Sequence, residues 1–447
     1  MVKIRYGYCA IGWPLLGIDF LESIRIEGAN ALKKIGMEKV EYPTLIADSD
    51  GCVAATQFFH QQKVDAVIIN FAGWLGGGEL LRLAKELNDI PLVLWGFGRG
   101  PTLTLTCLME ATSDFTKTGK RFFAVIGDPE DTATLEDIAG TLRAIDGYRF
   151  LQQVNIGYIG YACPGMVDAC VDEISLRRKI GCELLHLDLI ELVQEYQKVG
   201  NQEATPLIDE LKSKVGKVTV DDKELLESSR LYLALRNVGK KYRLNAITIR
   251  CWPELREAPP SFHVTPCYAI SRLTDEGIMG VCEADVSSAV TMLLLHRLTG
   301  KSPAVLDYST INVVRNSLGF WHCGPHALSL AQSYQDISVR APPIGGAAEW
   351  GGGCAVEFSI KEGEATFAKL TREYNKMSIT TGEFVKPSPA MRGGIGEAVM
   401  NTDAHSYLTQ IIEEGFEHHV CTVHGDVRGE LLKVCKLAEV KPILFGR

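Results

Sequence analysis

The 447-residue chain has no excess of positive charge: Lys and Arg total 46 against 55 Asp and Glu, a formal net charge of −9. Non-specific nucleic-acid binding, which is built on clustered cations, is disfavoured by that balance. No run of 18 apolar residues occurs, so no stretch reads as a transmembrane helix. Long polar or low-complexity tracts are missing, which argues against disorder, and no repeat of fixed period is seen. None of the 13 cysteines is paired in a C-x-x-C. Their odd number and wide scatter read as reduced thiols, most of them acting as small buried hydrophobes. The glycines around Gly76–Gly78 and Gly157–Gly160 match neither G-x-G-x-x-G nor G-x-x-x-x-G-K-[ST], so tight βα turns are favoured over a nucleotide site.

What is present is an ordinary globular composition, 46% apolar and 23% charged. At about 150 residues per domain, the length fits three domains. The opening MVKIRYGYCAIGWPLLGIDFLES carries Asp19 and Glu22 and no A-x-A cleavage pattern, so it reads as a first strand and loop rather than a signal peptide. A cytoplasmic location is expected.

Apolar runs at Lys3–Ala10, Val40–Leu45, Val64–Phe71 and Pro91–Gly96 alternate with helical patterns such as Gly78–Leu87. Such alternation predicts an α/β unit with a parallel sheet covered on both faces. The pattern restarts at Gln153–Gly160 and continues through CELLHLDL and Leu244–Ile249, with a boundary expected near 146–152. After about residue 303, short β-like runs separated by Gly and Pro predict a mostly antiparallel part. The expected fold is therefore α/β: two Rossmann-like parallel-sheet domains, 1–150 and 151–302, followed by a β-rich, mostly antiparallel C-terminal domain, 303–447.

Seven of the ten histidines lie after residue 290, which points to a metal or acid/base site in the last third. Glu254 follows a buried strand in Cys251-Trp252-Pro253-Glu254, although a single loop glutamate is usually solvated. Glu283 and Asp285 flank a helix start, where the bland reading is N-capping by Asp285 with Glu283 in solvent. His418 and His419 precede a β-like run, and strand alternation would send only one of them into a site. Arg99 sits just past a strand end, where ligands bind in open α/β sheets, and is a candidate for a polar or anionic substrate group. A hard divalent cation wants carboxylate oxygens completed by an imidazole, and Glu, Asp and His from three segments would meet that need.

The segments CWPEL (251–255), CEADVSSAVTMLLL (282–295), LDYST (306–310), WHCG (321–324) and EHHVCTVHGDVRGELL (417–432) resemble the L-fucose isomerase and L-arabinose isomerase-like family of metal-dependent aldose–ketose isomerases. The resemblance runs over nearly the whole chain in order of elements. It implies Glu254 and Asp285 as metal ligands and acid/base groups, with His419, rather than His418, as the third ligand. It implies Mn²⁺, with Mg²⁺ or Co²⁺ as alternatives. Asp307, His322 and Asp426 become substrate-hydroxyl or outer-sphere candidates beside Arg99. The substrate would be a pentose, a 6-deoxyhexose or a modified hexose such as sulfoquinovose, and the assembly a homo-oligomer, trimer or hexamer. A non-catalytic sugar-binding protein and an aldolase or epimerase on the same scaffold are the competing readings.

Overall fold

The computed structural model describes residues 4–97, 100, 102–257, 263–344, 348–349, 352–388 and 392–445. These divide into two compact units, Met1–Tyr148 and Arg149–Arg447. The first is built on five parallel strands in the spatial order Glu38–Glu41, Arg5–Ile11, Ala66–Phe71, Leu92–Gly96, Phe122–Ile126. Ala66–Phe71 is buried at every position, as a central parallel strand covered on both faces must be. The fifth strand escapes the sequence reading because it is short and only alternately buried, as an edge strand is. The stretch 146–152, where a boundary was expected, contains both the last turns of the helix Thr132–Leu151 and the division between the two units after Tyr148.

The second unit combines two large sheets with a small two-stranded one, Pro343–Ile344 and Ala348–Glu349. Four parallel strands lie in the order Met279–Cys282, Ala246–Ile249, Asn155–Ile159, Glu183–Leu187. The other large sheet is mostly antiparallel, as expected, but it also closes on itself. Lys376–Val385, Gly363–Leu370, His419–His424, Ala304–Asn312, Ser317–His322 and Gly394–Met400 pair successively antiparallel, and Lys376–Val385 pairs again with Gly394–Met400. Closure leaves these six strands without a free edge between them. Leu306, Leu318, Phe320, Phe367 and Phe384 from four of them pack in one buried cluster, with Phe320 and Phe367 stacked at 5.0 Å.

The helix Val286–Thr299 is buried on nearly every side, as its apolar sequence requires. It packs against Met279–Cys282 and Ala246–Ile249 of the parallel sheet and against Gly363–Leu370 and His419–His424 of the barrel. One rigid element thus brings the C-terminal ends of the parallel strands to the barrel wall.

Candidate active site

Glu283 follows directly on the strand Met279–Cys282, the end at which open α/β sheets bind ligands. Glu283 and Ala284 both adopt left-handed backbone, φ 62° and 59°. Two consecutive non-glycine residues in that region carry a conformational cost, and such cost is typically tolerated where function demands a direction. Here the turn sends the Glu283 carboxylate to the histidines: Oε2 lies 3.2 Å from His418 Nε2 and 3.3 Å from His419 Nε2. Asp307 sits opposite His419 in antiparallel register, so both side chains leave the sheet on one face. Asp307 Oδ1 is 3.6 Å from His419 Nε2. His322 closes the next strand, its ring stacked on His419 at 5.4 Å.

All of these polar groups but His419, which lies just behind the wall, line a cavity of about 840 Å³. Glu283, Asp307, His322 and His418 form its polar wall, with Arg256 beside them, and Trp252, Tyr308, Trp321 and Phe416 supply an aromatic one. That mix of apolar surface and a few convergent polar groups suits a small-molecule site.

The polar wall is unfinished. Asp307 Oδ1, His322 Nε2 and His419 Nε2 are buried without a hydrogen bond. Buried polar atoms are rarely left so, and three in one place call for a ligand. Two groups can each hold a metal ion: Glu283, His322 and His419, or Asp307, His418 and His419, with ligand atoms within 4.8 Å of one another. The tautomers separate the histidines. His419 Nδ1 meets the Asp285 carboxylate at 2.9 Å and must donate to it, which leaves Nε2 as the nitrogen for a ligand. His322 Nδ1 accepts from the backbone N–H of Cys323 at 2.8 Å, so its Nε2 carries the proton and is a donor. Burial opposes a charged His419, but the Asp285 and Glu283 carboxylates outweigh that and push it up to about 10, so Nε2 carries a proton that a bound cation would displace. Burial likewise opposes a charged Glu283, yet His418 and His419 hold it well below the usual carboxylate range.

The residues singled out by sequence fall in different places. His419, Asp307 and His322 are brought together. Asp285 lies behind His419. It caps the helix Val286–Thr299 as the bland reading had it, and its oxygens accept from Ser287, Ser288, Lys369 and His419. Glu254 is part of neither metal-capable group; its Oε1 accepts from Arg250 Nη2 at 2.6 Å and its side chain is 41% exposed. Asp426 pairs with Arg428 at 2.9 Å away from the cavity lining. Arg99 lies outside the described residues. Glu283 is the residue sequence reasoning left in solvent. Its position straight after a buried parallel strand was the usable signal. His418 also reaches Glu283, because the strand begins only at His419 and alternation does not govern the residue before it.

The model of the L-fucose isomerase C-terminal domain matches residues 320–444. A sulfoquinovose isomerase of Alkalicoccus urumqiensis is 28% identical over 369 residues, covering 80% of this chain and 82% of its own. One from Priestia aryabhattai is 24% identical over 447 residues, 98% of each chain. A solved periplasmic solute-binding protein of Actinobacillus succinogenes with bound D-allose aligns over 66% of this chain and 92% of its own at 13% identity, but a TM-score of 0.19 carries no argument. The matched domain holds His322 and His419, and the match to the Priestia relative, over 98% of the chain, takes in Glu283 and Asp307 as well: the chain is similar to the fucose-isomerase-like sugar isomerases, and that likeness supports an aldose–ketose isomerase.

Proposed function

We propose that this isomerase works with a divalent cation, Mn²⁺ first and Mg²⁺ or Co²⁺ as substitutes, held by Glu283, Asp307 and His419. The observation that carries the reading is the set of buried atoms without hydrogen bonds, Asp307 Oδ1, His322 Nε2 and His419 Nε2, gathered beside Glu283. Two carboxylates and one neutral imidazole are the donor set a hard cation prefers. When bound, such an ion supplies Lewis-acid polarisation of the sugar's C1 and C2 oxygens, which makes the C2 proton acidic.

The chain's own residues then move protons. Asp307, whose Oδ1 would face the cation, uses its other carboxylate oxygen to take the proton from C2 and return it to C1. His322 Nε2–H faces the cavity, gives its proton to O1 as the enediol forms and takes the O2 proton back as the C2 carbonyl closes. His418 binds Glu283 Oε2 and Asp168 and fixes that carboxylate from the open side. The aromatic wall covers the carbon chain and excludes water.

The substrate we infer is sulfoquinovose, a sulfonated hexose. The names of the two relatives support this, together with the placement of Arg256 on the cavity wall. A homo-oligomer, trimer or hexamer, belongs to the same reading; exposed Trp13, Leu15, Phe20 and Met109 in the first unit support a buried contact there.

Proton NMR of the Mn²⁺-loaded protein with sulfoquinovose in D₂O tests the proposal. The expected result is the ketose, with deuterium entering C2 of recovered aldose. Ketose without deuterium would replace proton transfer by a hydride shift. Undiminished turnover after exhaustive chelation would sink the metal site.

A further inference from the structure

Lys369, on the strand Gly363–Leu370, is 1% exposed, and a buried ammonium is tolerated only when fully paired. Its Nζ donates to Asp285 Oδ2 at 2.7 Å and to the hydroxyls of Ser287 and Ser288 at 2.8 Å each. All three ammonium protons are thereby used. Each serine passes its own proton on to Asp285, Ser287 to Oδ1 at 2.8 Å and Ser288 to Oδ2 at 2.6 Å. The Asp285 carboxylate is held from every side but one, and on that side it receives His419 Nδ1 at 2.9 Å.

We propose that Lys369 is a positioning residue of the metal centre. With the two serines it locks the Asp285 carboxylate in the plane where it takes the His419 Nδ1 proton, and so aims the Nε2 lone pair at Glu283 and Asp307. The inference rests on the reading of His419 as a metal ligand. A buried ion pair that served folding alone could be exchanged for apolar side chains with no effect on the neighbouring imidazole. This one ends on a ligand, and outer-sphere partners of a ligating histidine are worth about 10–100-fold in metal affinity.

The test is a double-mutant cycle on the full chain, read by Mn²⁺ titration calorimetry. Lys369→Met weakens Mn²⁺ binding by about 10–100-fold, and Asp285→Asn does the same. The double variant, in which no lone buried charge is left, binds no more weakly than Asp285→Asn alone, because Lys369 acts only through Asp285. Additive losses, or a double variant far weaker than Asp285→Asn, would overturn the proposal; the second comparison holds even if Lys369→Met alone does not fold. A second readout needs no metal: the exchange-protected Nδ1–H resonance of His419 in [¹⁵N]histidine-labelled protein. It is present in the wild type and lost in both single variants. If the wild type binds no Mn²⁺ but the resonance follows this pattern, the metal reading fails and the positioning role stands. A resonance unmoved by Lys369→Met sinks the positioning role by itself.

Discussion

Asp285 accepts hydrogen bonds from five donors, on Ser287, Ser288, Lys369 and His419, while a carboxylate offers about four lone-pair sites. Nothing is left for a cation. Glu283, two residues earlier, faces the cavity, and its charged partners among the described residues are His418 and His419. The two carboxylates of CEAD were both visible in the sequence, but their division of labour was not. It depends on a left-handed turn at Glu283 and Ala284 and on a lysine 84 positions away. Glu254 shows the same limit from the other side: it stands just past a strand end as Glu283 does, yet its neighbour Arg250 claims it. The residues therefore predict opposite outcomes for two similar changes. Glu283→Gln removes a charge from the ligand set, and Mn²⁺ affinity should fall by at least about 100-fold, with turnover falling in step. Glu254→Gln breaks a partly exposed ion pair worth about 0–1 kcal/mol and should leave affinity within about threefold. Calorimetry and progress curves on both variants check this; equal losses would return Glu254 to the centre.

At the scale of elements, hydrophobic periodicity was enough to find the parallel strands Arg5–Ile11, Ala66–Phe71, Leu92–Gly96, Asn155–Ile159 and Ala246–Ile249, because each is a short apolar run bounded by turn residues. Barrel closure was not legible. It rests on Lys376–Val385 meeting both Gly363–Leu370 and Gly394–Met400, and pairing partners leave no local mark. Nor did the sequence reveal how tightly the barrel's outer strands receive their neighbours. A Cβ on Gly394 would stand 1.6 Å from His326 Cδ2, so the ring lies flat against bare backbone. His326 is buried beside Phe358 with neither ring nitrogen hydrogen-bonded. Burial, reinforced by His322, pushes its pKa down to about 3. The folded protein therefore keeps this ring neutral while the unfolded chain binds a proton below about 6.5. Stability tied to His326 is present above about 6.5 and is lost as pH falls toward 3. The difference should reach several kcal/mol at the acid end. Chemical denaturation between pH 7 and 4 should show a shallower acid loss for His326→Leu than for the wild type. Parallel curves would mean that the ring is protonated in the fold.

Across the molecule, the proposed chemistry falls in one of the two compact units. Every residue proposed to touch the cation or the sugar's reacting carbons, Glu283, Asp307, His322 and His419, belongs to Arg149–Arg447. The chain's class was readable from its order of α/β and β-rich stretches, and its family from short motifs, since these survive as linear signals. The candidate site was readable only in part, because its proposed ligands Asp307 and His419 are 112 residues apart in sequence and meet through strand register. Confinement to one unit has a consequence for ligand linkage. A cation that binds only the native state stabilises it by RT ln(1 + [L]/Kd), about 2.7 kcal/mol at 100 times Kd. That gain falls on the cooperative unit that supplies the ligands, and local openings elsewhere are indifferent to it. Hydrogen exchange followed by mass spectrometry, with and without Mn²⁺, should therefore show slowed exchange in peptides covering 279–310, 317–322 and 417–424. Peptides from 4–97 should exchange at the same rate in both states. Protection of the same size across 4–97 would mean that the first unit takes part in holding the ion, and the ligand set of Glu283, Asp307 and His419 would have to be enlarged.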